Sequence, residues 1–151
     1  GGGFEMVLGC DIVVAAEHAS FGLPEARVGR MPLDGGMILL PRLMPKKVAM
    51  GMLMTGNRIS ANDAKSYGLV NEVVAADELD AAVDRWVADI LECAPLSVKA
   101  IKESVIETAD LPVDEALTKR LPALVAALES EDGDEGPRAF REKRKPEWKG
   151  R

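Results

Sequence analysis

Two glutamates sit where their neighbours offer a purely structural sequence little reason to keep a charge. Glu5 is flanked by Phe4, Met6, Val7 and Leu8, and Glu25 follows Pro24 ahead of a loop punctuated by Gly29, Pro32 and Gly35-Gly36. A carboxylate held among apolar residues is partly desolvated, a setting that suits general acid–base chemistry. Gly1-Gly2-Gly3 strip the start of a short helix of side chains. Open backbone N–H groups there, at the positive end of the helix, can polarise a carbonyl oxygen. The residue types therefore point to an acid–base pair beside an oxyanion donor. A plainer interpretation remains open beside it: two solvated carboxylates, and three glycines forming a tight turn or a flexible end.

Other chemistry-bearing residues are sparse. Cys10 and Cys93 have no metal-ligand spacing and read as two reduced, buried thiols of a cytoplasmic protein. His18 is the single histidine, which excludes a multi-histidine metal site, and its turn-like Ala-Glu-His-Ala setting makes it a surface residue. A net charge of −6 argues against nucleic acid or an anionic membrane surface as the main partner. The 151 residues are 47% hydrophobic and 29% charged, the composition of an ordinary globular domain. No apolar run approaches the roughly 20 residues of a membrane helix. The opening on three glycines reads as a fragment of a longer chain, with no targeting signal visible.

The elements that must position these residues follow from periodicity. Phe4 to Leu8 reads as a short helix, and the β-branched run Ile12 to Ala16 as a strand covered on both faces. Ser20-Phe21-Gly22 reads as a short extended piece, Met37 to Leu43 as a helix, and Pro45 as the first turn of another that Gly56 closes. Ser60 and Asp63 have capping-box spacing, Gly68 ends that helix, and Leu69 to Val74 is a further strand. Strands alternating with helices indicate α/β organisation over residues 1–75. Residues 76–151 are helical throughout. One stripe is Leu79, Val83, Trp86, Val87 and Ile90; a second is Val98, Ile101 and Val105; a third runs from Val113 to Leu128, with a break expected at Pro122. Glu129 to Gly136 reads as an acidic linker, followed by an amphipathic segment around Phe140 and a basic tail from Arg138 to Arg151.

The ordered set of motifs resembles the crotonase (enoyl-CoA hydratase/isomerase) family. It comprises Gly1-Gly2-Gly3-Phe4-Glu5, Cys10-Asp11-Ile12-Val13-Val14-Ala15-Ala16, Phe21-Gly22-Leu23-Pro24-Glu25, Gly29, Pro32, Gly35-Gly36, Thr55-Gly56-Asn57-Arg58-Ile59-Ser60-Ala61, Ala64 and Gly68-Leu69-Val70. Each piece alone is weak; their order and spacing across the chain are specific. The match corresponds to the C-terminal portion of a family member. The tail, from Ser130-Glu131-Asp132 through Pro146-Glu147-Trp148-Lys149-Gly150-Arg151, resembles the carnitinyl-CoA dehydratase branch.

The resemblance implies an α/β fold, the C-terminal part of a crotonase-like spiral of ββα units followed by a helical trimerisation subdomain. It implies a homotrimer or dimer of trimers and an acyl-CoA thioester substrate, with no cofactor beyond the coenzyme A of the substrate and no metal. By position, Glu5 and Glu25 match the glutamate pair with which hydratases add water to an enoyl thioester, and the Gly2 N–H matches one oxyanion donor. Lys143 matches a position near the coenzyme A phosphates. Leu33-Asp34 replaces the Gly-Ala usual in the loop at the acyl end, so Leu33 bears on substrate choice. Other outcomes within the family are a carnitinyl-CoA dehydratase-like activity, an isomerase, or a non-catalytic subunit; both glutamates together favour hydration or dehydration.

Overall fold

Helix α1 (Gly2–Leu8) buries Phe4, Glu5 and Leu8 on the face that an i, i+1, i+4 pattern creates. The computed structural model describes residues 1–151. It divides into two compact units, Gly1–Asp84 and Arg85–Arg151.

In the first unit, strand β1 (Val14–Ala16) pairs in parallel with β4 (Glu72–Val74), Val14 opposite Glu72. Strand β2 (Ser20–Phe21) pairs antiparallel with β3 (Ile59–Ser60). Two of the four strands are shorter than the apolar runs that encode them. Just ahead of the first parallel pair the Val13 N–H donates to the Asn71 side chain at 2.9 Å, while the Asn71 N–H donates to the Val13 carbonyl. A 3-10 turn, Pro24–Val28, follows β2 and closes on Gly29 in the left-handed region. Helices α2 (Gly36–Leu43), α3 (Lys46–Thr55) and α4 (Ala61–Ser66) complete the unit. Pro45 lies at the N-cap of α3, one residue ahead of the first-turn position expected from the sequence, and Gly56 ends the helix at φ 66°. The capping box of α4 is formed in full: the Ser60 hydroxyl accepts from Asp63 N–H while the Asp63 carboxylate accepts from Ser60 N–H.

The core of this unit is Phe4, Leu8, Leu23, Leu40, Met44, Ala49 and Met52, with a smaller cluster of Ala15, Ala61, Ala64 and Val70. Phe21 and Ile59 pack against both clusters. The Phe21 ring lies tilted on Phe4, centroids 5.3 Å apart. Leu23 and Leu40 are fully buried, so the elements on either side of the glutamates are locked by packing.

Beyond α5 (Leu79–Leu91), the second unit holds α6 (Pro95–Thr108), α7 (Val113–Thr118), α8 (Pro122–Leu128) and α9 (Glu131–Glu142). Pro122 breaks the third stripe as expected and becomes the first residue of α8. Helices α6 and α8 meet through Ala100, Ala123 and Ala127 with Leu96 beside them, whereas Ile101 and Val105 of the sequence stripe remain exposed.

Two expectations are overturned. Glu129–Gly136 is not a linker: Ser130 caps α9 by accepting from Gly133 N–H at 2.9 Å, and the helix runs on through the acidic residues. Its Asp132 and Glu135 are buried, with hydrogen-bond donors from the chain end in place of water. The cysteines are free but exposed, not buried; each lies just past a helix end, its Sγ directed to a carbonyl four residues back. His18 is exposed, as expected.

Candidate active site

Burial of Glu5 follows from the helix that carries it. Phe4 and Leu8 turn the inner face of α1 into the core, and Glu5, next to Phe4 on that face, goes in with them at 5% exposure. One hydrogen bond receives it: the Gly36 N–H, at the start of α2, donates to Glu5 Oε1 at 2.8 Å. That bond holds the carboxylate through one of its two oxygens.

Glu25 is delivered by the 3-10 turn that Pro24 opens, since a fixed φ and a missing N–H suit the first position of a helical turn. Its Oε1 lies 3.5 Å from the Gly1 nitrogen, and its Oε2 is buried without a hydrogen-bond partner. An orphaned, buried carboxylate oxygen is rare in folded proteins and tends to mark a functional group. Gly1 links the two acids. Its carbonyl accepts the Phe4 and Glu5 N–H groups at 2.8 and 3.3 Å, and its nitrogen stands between the Gly22 carbonyl and Glu25. The fold thus gathers Glu5 and Glu25 around one glycine, though they are 20 residues apart in the chain.

Gly2 begins α1. Its N–H, like that of Gly3, belongs to the first turn and has no partner there, and no side chain caps the helix. A Cβ added at Gly2 or Gly3 meets nothing within 4 Å, so packing within this chain does not demand glycine at either position. Leu33 lies in the turn before α2 with 70% of its surface exposed. Lys143 is in the second unit, the residue that ends α9, at a φ of 54° that is unusual without glycine. Nothing groups His, Cys, Asp or Glu into a metal site. The sequence pointed to Gly35-Gly36 only as loop punctuation. The role of Gly36 as donor to Glu5 had no signal in residue type, because the donor is backbone.

The match to known proteins covers the chain from end to end. The model for the family described as enoyl-CoA hydratase/isomerase matches residues 1–151. A carnitinyl-CoA dehydratase of Salmonella typhi is 44% identical over all of this chain and 59% of its own length. The crystal structure of an enoyl-CoA hydratase from Bacillus anthracis superposes with a TM-score of 0.95 at 37% identity, over 100% of this chain and 58% of that one. That of an enoyl-CoA hydratase from Mycobacterium tuberculosis gives 0.94 at 33%, over 99% and 60%. The chain therefore spans about three-fifths of the relatives it matches. With the family pattern running through every element around Glu5 and Glu25, and the same spiral segment superposing throughout, this chain belongs to the enoyl-CoA hydratase/isomerase family.

Proposed function

We propose that the protein carrying this chain is a lyase that adds water to, or removes it from, the double bond of an enoyl-CoA thioester, with Glu5 and Glu25 as its acid–base pair. The observation that carries this is the state of the two carboxylates. Glu5 is buried and fixed through one oxygen, and Glu25 holds a buried oxygen with no partner while its other oxygen lies 3.5 Å from Gly1, at the start of the helix that carries Glu5. Addition of water across one face of a double bond needs a base for the attacking water and an acid for the α-carbon. In our reading Glu5 takes the proton from water as its oxygen attacks the β-carbon, and Glu25 delivers a proton to the α-carbon. Negative charge builds on the thioester oxygen as the water attacks and is discharged when the α-carbon is protonated, and the uncapped N–H of Gly2 serves as one oxyanion donor to it. Substrate access would explain glycines that packing does not require. The coenzyme A belongs to the substrate, and the chemistry calls for no separate cofactor.

Leu33, exposed beside the pair in sequence, is proposed to face the acyl end, and Lys143 to meet the coenzyme A phosphates. We assign residues 1–75 to the spiral core and 76–151 to a helical subdomain that assembles the protein as a homotrimer or dimer of trimers. The exposed Ile101, Val105, Leu117 and Phe140 support an assembly role. Two unpaired cysteines accord with a reducing, cytoplasmic setting. The identity to carnitinyl-CoA dehydratases favours a second substrate for the same chemistry. The deciding experiment offers crotonyl-CoA and carnitinyl-CoA to the full-length protein and follows the conjugated enoyl thioester absorbance. Conversion of either, abolished by Glu25→Gln, is expected; a folded protein inert toward both would refute the proposal.

A further inference from the structure

We propose that Gly36 is the positioning residue for Glu5: its N–H fixes one carboxylate oxygen, and its lack of a side chain keeps that donor in reach. This rests on the acid–base role given to Glu5 above. The terminal torsion of a glutamate is broad and twofold, so a buried carboxylate without a partner samples many orientations. The 2.8 Å bond from Gly36 N–H to Oε1, between two buried groups, selects one orientation and leaves the other oxygen for proton transfer. Acid–base groups act well only when held within about 0.5 Å and 10–20° of the productive geometry.

The two neighbouring glycines do different things. Gly35 has φ 117°, in the left-handed region where a side chain is strained, and it makes the turn into α2. Gly36 has no such φ, and its backbone would suit any residue. Space is what restricts it. A Cβ there would lie 2.8 Å from Pro32 Cβ, 2.9 Å from Leu23 Cδ1 and 3.0 Å from Glu5 Oε1. Pro32 is a buried ring and Leu23 is fully buried, so neither yields easily. The clash is relieved by moving the α2 start away from Glu5 or by turning the carboxylate, and either movement breaks the bond.

The test is a double-mutant cycle in the full-length protein with Gly36→Ala and Glu5→Gln, reading kcat and KM for the enoyl thioester that it hydrates. Gly36→Ala is expected to lower kcat about 10²-fold, the scale of an ångström misplacement, with KM nearly unchanged. In the Glu5→Gln background the same change should lower kcat no further, because its effect runs through Glu5. An equal proportional loss in both backgrounds would show a merely structural role and overturn the proposal, as would a wild-type kcat in Gly36→Ala. Full turnover by Glu5→Gln would remove the acid–base reading itself, a distinct failure. Should Gly36→Ala not fold, an amide-to-ester exchange at residue 36 removes the N–H and adds no Cβ. The same fall in kcat is then expected, and an unchanged kcat would overturn the inference.

Discussion

At the scale of single residues, the two glutamates are held in different ways, and their variants should differ accordingly. Glu5 has one oxygen satisfied by Gly36 N–H, whereas Glu25 keeps a buried oxygen without a donor. A polar atom in that state destabilises the fold, since its lost hydration is not replaced. Glu25→Gln should therefore lower kcat by about 10²–10⁴-fold while leaving the melting temperature equal to or above that of the parent. Glu5→Gln should lower kcat on a similar scale but bring no gain in stability, because its carboxylate already has a partner. Steady-state kinetics paired with a thermal melt of each variant would decide the matter. A lower melting temperature for Glu25→Gln would mean that the orphaned oxygen is better solvated than its burial indicates.

At the scale of elements, residues whose effect is local were legible in the sequence, and those acting through distant partners were not. Ser60 and Asp63 announced a capping box by type and spacing, and it is present. Asp63 is held below the usual carboxylate range by the Ser60 hydroxyl and then by the Ser60 N–H. Ser60→Ala should accordingly destabilise the protein by about 1 kcal/mol, read as a shift of the urea midpoint. An unchanged midpoint would mean that α4 is held by Ala61 and Ala64 alone. Leu40 is a sharper test of packing: it is fully buried on α2, one turn past the Gly36 donor, and Leu40→Ala should cost about 2–5 kcal/mol. By contrast, the stretch Glu129–Gly136 looks like a linker because most partners of its buried acids are not local. Only Arg138 is near; Arg144 and the N–H groups of Glu147, Lys149 and Gly150 come from 9 to 18 residues further along. The cysteines were misplaced for a related reason: apolar neighbours in sequence do not reveal whether a side chain at a helix end faces the core or solvent.

At the scale of the whole chain, the last residues are tied back by two buried acids, Asp132 and Glu135, and the charge on Glu135 makes the second unit sensitive to acid. Asp132 accepts from Lys149 N–H at 2.7 Å and from Gly150 N–H at 2.8 Å, while Glu135 accepts from Glu147 N–H at 3.0 Å. Glu135 also receives Arg144 and Arg138, and Trp148 Nε1 donates to the Glu92 carbonyl at 2.7 Å, so residues 144–151 lie strapped along α9 and the end of α5. The Arg144 guanidinium first, and then Arg138 and the Glu147 N–H, hold the Glu135 carboxyl far below its ordinary value of 4.5. Arg144 is raised in turn by Glu135 and Glu142. Because the folded pKa of Glu135 is depressed, the unfolded chain takes up its proton first as acid is added. The stabilisation is complete above the ordinary carboxylate range and declines steadily as the pH falls below about 4.5. Hydrogen exchange over residues 144–151 should therefore show protection at neutral pH that weakens on acidification, after correction for intrinsic rates. Glu135→Gln keeps the shape but removes the charge that holds both arginines, and it should show the weakened state already at neutral pH, with little further change in acid. Protection of this segment that is equal in the two proteins at neutral pH would show that Asp132 and Trp148 hold the strap without the Glu135 charge.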